Sequence, residues 1–327
     1  MIFLSKTEIE EFLELVDVIK VFEDTFKLED STNSAEAPNY SFKVPNHIGT
    51  LNLRAGLVQG LRILTAKINT SYPNNSNMRN LPAIHSVIIH YDLETGEILG
   101  VFEGGYLTAI RTAACAALAT QYLSREDSKT VGLIGSGYQA RFQIEAVCKV
   151  RQIRKIKVYD INSQKLNNFV KNLKPYFNAE IVAVKSAENA VVKSDICITV
   201  TTSNKPVVSC DWISPGTHIN AIGAYMPDKR EIDSATIEKA KVVVDSFEQC
   251  TKQAGDIRIP VNEGNFKIKN IHAELAQIVS GRNSARETSS EITVYKSVGN
   301  GLQDAVVAEY TYRIAKERKL GKHLSIY

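Results

Sequence analysis

The sequence predicts an α/β protein in which a doubly wound parallel sheet is joined to a second, α+β domain. Three observations carry that expectation. The first is length, because 327 residues is about twice a typical domain. The second is a Gly-rich turn between a short apolar run and a helical pattern, Thr130-Val-Gly-Leu-Ile-Gly-Ser-Gly-Tyr-Gln-Ala140. The third is the alternation of strand and helix signals beyond that turn, which argues for βα units and a parallel sheet.

The chain before the turn reads differently. Thr7–Phe26 carries Ile9, Phe12, Leu13, Val16, Ile19 and Phe22 at helical spacing, with Ser5 or Thr7 as cap. The polar stretch Leu28–Asn39 reads as a loop. Tyr40–Val44, Thr50–Leu53, Leu64–Asn69, Ser86–Tyr91 and Ile98–Phe102 read as strands, separated by turn chemistry at Asn46–Gly49 and Glu94–Glu97. A helix and a mostly antiparallel sheet are therefore expected. Leu107–Leu123 then forms a helix rich in small residues, with Thr108 as cap and Arg111 and Thr112 in its first turn. By itself an arginine there is either a solvated charge or a ligand-binding group.

At the Gly-rich turn, Val131–Ile134 is a strand of buried type and Arg141–Val150 a helix. Within Gly135-x-Gly137-x-x-Ala140, Gly135 permits the turn and Gly137 leaves room for a diphosphate. Ala140 lets helix and strand pack closely. The helix N-terminus offers N–H groups and partial positive charge to phosphates. Lys155–Tyr159 is the next strand, and Asp160 ends it. A carboxylate there accepts hydrogen bonds from the adenosine ribose and repels a 2′-phosphate, so NAD (or NADH) is expected and NADP disfavoured.

The alternation continues with a helix at Lys165–Phe177, a strand at Glu180–Val184, a helix at Ser186–Val192 and strands at Ile196–Val200, His218–Ile222 and Val242–Asp245. Helical patterns return at Ile271–Val279 and Ala305–Glu317. The last lies outside the alternation and is expected to return to the first domain. A Rossmann-type nucleotide domain is thus expected over 125–302, and a substrate-binding domain over 1–124 with 303–327.

Composition excludes several classes. Apolar content of 44% and charged content of 23% are those of an ordinary globular protein, and a net charge of +3 without a basic block gives no reason to expect nucleic acid. No apolar run approaches the ~20 residues of a membrane span, and Met-Ile-Phe-Leu-Ser-Lys lacks a signal-peptide pattern. The five cysteines (Cys115, Cys148, Cys197, Cys210 and Cys250) are scattered and never C-x-x-C. A reducing cytoplasm without disulfides is expected. The six histidines show no ligand spacing, so no metal is expected.

Four stretches taken together resemble a known family. They are Leu107-Thr-Ala-Ile-Arg-Thr-Ala-Ala114, the Gly135 loop, Gly216-Thr-His-Ile-Asn-Ala-Ile-Gly223, and Tyr295-Lys-Ser-Val-Gly299 with Asp304. In that order, and over nearly the whole chain, the sequence resembles the ornithine cyclodeaminase/mu-crystallin family. The resemblance implies hydride exchange between a nicotinamide and the α-carbon of an amino or imino acid, in a homodimer paired through the non-nucleotide domain. It implies that Lys67 contacts substrate and takes part in proton transfer, and that Arg111 clamps the substrate carboxylate. It implies cofactor contacts from Thr112, Tyr138, Gln139, Asp160, Thr201 and Ser297, with Ile222 beside the nicotinamide.

Departures from the family pattern bear on the reaction. Cyclodeaminases carry an acid where this chain has Tyr225, and the nearest acid is Asp228. That favours an amino-acid dehydrogenase or imine reductase over a cyclodeaminase. An early family arginine is missing. Lys43, or Arg54 downstream, stands nearest its place, and Arg54 reads equally as a pocket or a surface residue. The ending Leu320–Tyr327 is similar to that of diaminopropionate-pathway dehydrogenases, which keeps an opine-like substrate open. A nucleotide-dependent binder without turnover is the alternative from another class, and retention of both Lys67 and Arg111 speaks against it.

Overall fold

The computed structural model describes residues 1–28, 34–37, 39–45, 49–79 and 81–325. Contacts divide the chain into two compact units, Met1–Arg111 with Asn300–Tyr327, and Thr112–Gly299. The expected divisions stood at 124/125 and 302/303. The expected turn residues Asn46, His47 and Ile48 and the end of the C-terminal tail, Ile326 and Tyr327, lie outside the described residues.

The first unit is a sheet covered on one face by helices. In spatial order its strands are Lys322–His323, Ile2–Leu4, Ile98–Glu103, Ile84–Asp92, Ile63–Ser71, Thr50–Val58 and Ser34–Glu36, with Tyr40–Lys43 also paired to Thr50–Val58. Among the described residues all pairings are antiparallel except that of Ile2–Leu4 with Ile98–Glu103. Side chains alternate across the pleat. Leu4, Phe102, Ile88, Ile63 and Lys67 share the buried face.

The long helix Gly301–Arg318 crosses that face. It comes unusually close at Gly301 and Gly56, where a Cβ on either residue would collide with the backbone of the other strand or helix. This fixes the height of the helix N-terminus over the sheet.

Three expectations in this unit need correction, one being the Thr108 cap, because Thr108 lies inside the helix Gly104–Leu123. The helix expected over Thr7–Phe26 is two helices, Lys6–Phe12 and Leu15–Lys27, broken at Leu13 and Glu14. Ser5 rather than Thr7 is the first cap, in a reciprocal capping box with Glu8. Inside the expected loop Leu28–Asn39, Ser34–Glu36 forms an edge strand on Thr50–Val58. The unpredicted strand Ile2–Leu4 is too short for a periodic signal.

The second unit has the doubly wound architecture expected. Its sheet is wholly parallel, in the order Glu180–Ala183, Lys155–Tyr159, Thr130–Ile134, Ile196–Thr199, His218–Ala221, Thr293–Lys296, Lys241–Val244 and Ile271–Glu274. Chain order reverses between Thr130–Ile134 and Ile196–Thr199, and ligands of such sheets bind in the crevice at the strands' C-terminal ends at that reversal. Ile271–Val279, expected to be helical throughout, is a strand to Glu274 and then a short helix, Leu275–Val279. The expected helix Lys165–Phe177 runs from Ser163 to Leu173 and tightens into a 3₁₀ turn at Pro175.

Candidate active site

The site residues suggested by the sequence fall into two groups of side chains, one in each unit. In the first unit Lys67 points into the buried face of the sheet and is 5% exposed. Its cross-strand neighbours are Arg54 and Ile88. Lys67 Nζ lies 2.6 Å from Asp304 Oδ2 and donates to Thr108 Oγ1 at 3.4 Å.

Arg111, 3% exposed, donates through Nε to Asp304 Oδ1 at 3.1 Å and through Nη1 to Gln303 Oε1 at 2.6 Å. Asn300 caps the Gly301–Arg318 helix by accepting from the Gln303 N–H at 2.9 Å, which places Gln303 and Asp304 in its first turn. A carboxylate there also faces the positive end of the helix dipole.

Burial is the largest influence on Lys67. Asp304 opposes it and the Arg111 and Arg54 charges reinforce it, and the ammonium pKa falls from 10.5 to about 7. Burial alone would push Asp304 up, but the Lys67, Arg111 and Arg54 charges hold its carboxyl below the usual range. The cluster therefore sets one buried carboxylate against three cationic side chains. Buried charge of one sign is costly without a partner, so such a cluster favours an anionic ligand. A guanidinium has five N–H groups, and the two bonds of Arg111 leave donors for a carboxylate.

The two stand-ins for the missing arginine fare differently. Arg54 is half-buried, bonds Asn39 Oδ1 at 3.0 Å and acts on the charges of Lys67 and Asp304. Lys43 is exposed at the far end of the Tyr40–Lys43 pairing, opposite Thr50, and does not join the cluster. No local sequence signal marks Gln303, and Asp304 accompanies the family stretch at 295–299 without an assigned role.

In the second unit Gly135 adopts a φ of +101°, and a Cβ there would come within 2.6 Å of the Val200 carbonyl oxygen. Glycine is therefore required at that turn. Gly137 is the N-cap of the helix Tyr138–Val150 with no side chain capping it, and a Cβ at Gly137 would meet nothing within 4 Å. Ala140 is fully buried against the sheet.

Asp160 lies at the end of the neighbouring strand. Its Oδ2 accepts from Ser136 N at 2.8 Å and Ser136 Oγ at 2.7 Å, and its Oδ1 from Asn162 N at 2.8 Å. A carboxylate has about four acceptor positions, so capacity for a ribose hydroxyl remains. The uncapped helix end, the open space at Gly137 and this acid fit an NAD-type dinucleotide.

The other expected cofactor residues are spread over the same unit. Tyr138 is exposed and Gln139 half-buried in the helix's first turn, and Thr112 is buried near the start of this unit's chain. Thr201 follows the Ile196–Thr199 strand and Ile222 the His218–Ala221 strand. Ser297 follows Thr293–Lys296 and donates to Asp245 Oδ2 at 2.7 Å. Tyr225 and Asp228 are both exposed. Among the described residues no group of three His, Cys, Asp or Glu is placed to hold a metal ion.

A parallel, doubly wound sheet with this Gly-rich loop and strand-end acid defines a dinucleotide-binding α/β protein. The chain belongs to the ornithine cyclodeaminase/mu-crystallin family, matched over residues 1–319. It is 38% identical to a Bacillus cereus Delta(1)-pyrroline-2-carboxylate reductase over 285 residues, 87% of each chain. The structure of Thermococcus litoralis Delta(1)-pyrroline-2-carboxylate reductase in complex with NADH and L-proline is 40% identical, with a TM-score of 0.95 over 99% of this chain and 100% of that one. An archaeal alanine dehydrogenase dimer with bound NAD is 31% identical, with a TM-score of 0.92 over 100% and 99% of the two chains.

Proposed function

We propose that this protein is an NAD(H)-dependent oxidoreductase that exchanges hydride with the α-carbon of an amino or imino acid, and that its substrate is a cyclic imino acid of the pyrroline-2-carboxylate class. The observation that carries the reading is the buried Lys67–Asp304–Arg111 cluster, whose surplus of positive charge suits a substrate carboxylate. The 38% and 40% identities to pyrroline-2-carboxylate reductases support the substrate class. Tyr225, in place of the acid a cyclodeaminase needs, supports simple reduction or dehydrogenation. The likeness to alanine dehydrogenase supports a second reading, an open-chain 2-oxo acid with ammonia.

In this reading the first unit binds the substrate and the second the cofactor. Gly135, Gly137 and the helix N-terminus hold the diphosphate, Asp160 the adenosine ribose, and Thr112, Tyr138, Gln139, Thr201, Ile222 and Ser297 the remainder. The bound cofactor supplies or accepts the hydride.

Arg111 holds the substrate carboxylate through its remaining N–H groups and so orients the α-carbon. Lys67 passes a proton to the ring nitrogen as the imine is reduced, and takes it back in the oxidative direction. With a pKa of about 7 it serves both directions near neutrality. Arg54, through its charge, completes the substrate side in place of the missing family arginine. The protein works as a cytoplasmic homodimer, supported by the unpatterned cysteines and by the dimeric alanine dehydrogenase.

Absorbance of reduced cofactor discriminates the readings. Consumption of NADH with cyclic imines, faster than with 2-oxo acids plus ammonia, is expected. Absence of turnover with both substrate sets would refute an oxidoreductase of this kind.

A further inference from the structure

Beneath the strand ends that carry Thr201, Ile222 and Ser297 lies a second buried charge group that the reaction does not use. Glu231, Asp256 and Lys296 are each 0% exposed. Glu231 Oε1 accepts from the Thr201 N–H at 2.6 Å. Its Oε2 accepts from Thr199 Oγ1 at 2.9 Å, from the Gly223 N–H at 2.7 Å and from the Ala224 N–H at 3.1 Å. One carboxylate thus ties the loop after Ile196–Thr199 to the loop after His218–Ala221.

The tie is close. A Cβ at Gly223 would collide with the Thr201 backbone and reach 2.6 Å from Glu231 Oε1. Glu231 is itself held from behind, since Asp256 Oδ1 accepts from the Glu231 and Ile232 N–H groups at 2.7 and 2.9 Å. Asp256 Oδ2 pairs at 2.8 Å with Lys296 Nζ, which also donates to the Ala221 carbonyl at 3.1 Å. Lys296 immediately precedes Ser297, so the network reaches the third strand end as well.

Topology says which part of a dinucleotide these loops meet. The diphosphate belongs at the helix after Gly135 and the adenosine at Asp160, on one side of the chain-order reversal. The strands ending at Thr199 and Ala221 lie on the other side, where the second half of the cofactor must extend.

We infer that Glu231, braced by Asp256 and Lys296, is a positioning residue that sets the Thr201 and Ile222 loops for the nicotinamide half of the cofactor. The inference rests on the NAD-binding reading above. A carboxylate is suited to the task because both its oxygens accept and all four partners, Thr199 Oγ1 and the Thr201, Gly223 and Ala224 N–H groups, donate. A glutamine offers one acceptor oxygen and an N–H₂ group that opposes backbone N–H donors, so it can hold one loop but not both.

The test compares NADH with ADP-ribose, which lacks the nicotinamide, by titration calorimetry on the full chain. In Glu231→Gln, NADH affinity is expected to fall about tenfold, about 1.4 kcal/mol, while ADP-ribose affinity stays within twofold. Hydrogen exchange should quicken at the Thr201 and Gly223 amides and stay unchanged from Gly135 to Ala140. If Glu231→Gln does not fold, Thr199→Val, which deletes a single donor, should give the same split at severalfold.

Equal losses for both ligands, or no loss for either, in the folded variant would overturn the positioning role and leave the NAD reading standing. Wild-type protein that binds neither ligand would remove both.

Discussion

At the scale of single residues, the proposed proton-transfer role of Lys67 is testable through its protonation state. Its folded pKa, about 7, lies below the ordinary 10.5 because burial outweighs the attraction of Asp304. The ammonium form is therefore scarce above neutrality. kcat/KM for imine reduction, which needs the proton, should fall as pH rises through about 7, whereas kcat/KM for amino-acid oxidation should fall as pH drops through the same range. Asp304→Asn removes the charge that raises the Lys67 pKa, so the limb for reduction should move to lower pH. A limb that stays fixed in Asp304→Asn would exclude Lys67 as its source. Lys67→Met should lower kcat by about 10²-fold or more while NADH still binds, because the groups expected to hold the cofactor belong to the other unit. Arg111→Lys keeps a positive charge but loses the planar fork, so substrate KM should rise well before kcat falls. Steady-state kinetics of the three variants across pH checks the set.

At the scale of elements, two glycines distinguish a packing role from a binding role. Gly301 meets the Ala55–Gly56 backbone with no room for a Cβ, so Gly301→Ala should lift the helix from the sheet. Overpacking of this kind costs about 1–3 kcal/mol, and the melting temperature should drop. Gly137 has open space around it and a φ of −78°, which alanine adopts freely. Gly137→Ala should therefore melt like the wild type yet bind NADH about tenfold or more weakly, because the added methyl would intrude on the proposed diphosphate site. Equal melting and equal binding in Gly137→Ala would remove the phosphate assignment.

The same elements show what the sequence made legible. The Gly135 loop, its helix and Asp160 are adjacent in the chain and obey local rules, so they could be read directly. Asp304 could not, because it meets Lys67 and Arg111 only after the chain returns from the second unit. The break at Leu13 and Glu14 has neither glycine nor proline to mark it. Ile271–Val279 misled because strand passes into helix at Glu274 without an intervening turn.

At the scale of the whole molecule, the outer face of the first unit's sheet bears on assembly. Leu53, Leu57, Leu64, Ala66, Ile68, Val87, Ile89 and Val101 alternate with the buried residues of their strands, and cross-strand pairing gathers them on one side. All are half-buried rather than buried, in contrast to Ile63, Lys67 and Ile88 on the helix-covered side. A contiguous apolar sheet face on a monomer is unusual, and large patches of this kind mark interaction surfaces. Pairing of two copies through it would be isologous, each strand face meeting its own equivalent across a twofold axis. Light scattering should therefore give about twice the chain mass of 36.2 kDa at micromolar protein. Ile68→Asp combined with Ile89→Lys places charges at the middle of this face without touching Lys67, whose side chain points the other way. That variant should run as a monomer, and NADH should still bind, because the second unit is unaltered. A wild-type monomer would dismiss the dimer, and a double variant that stays dimeric would move the interface off this sheet.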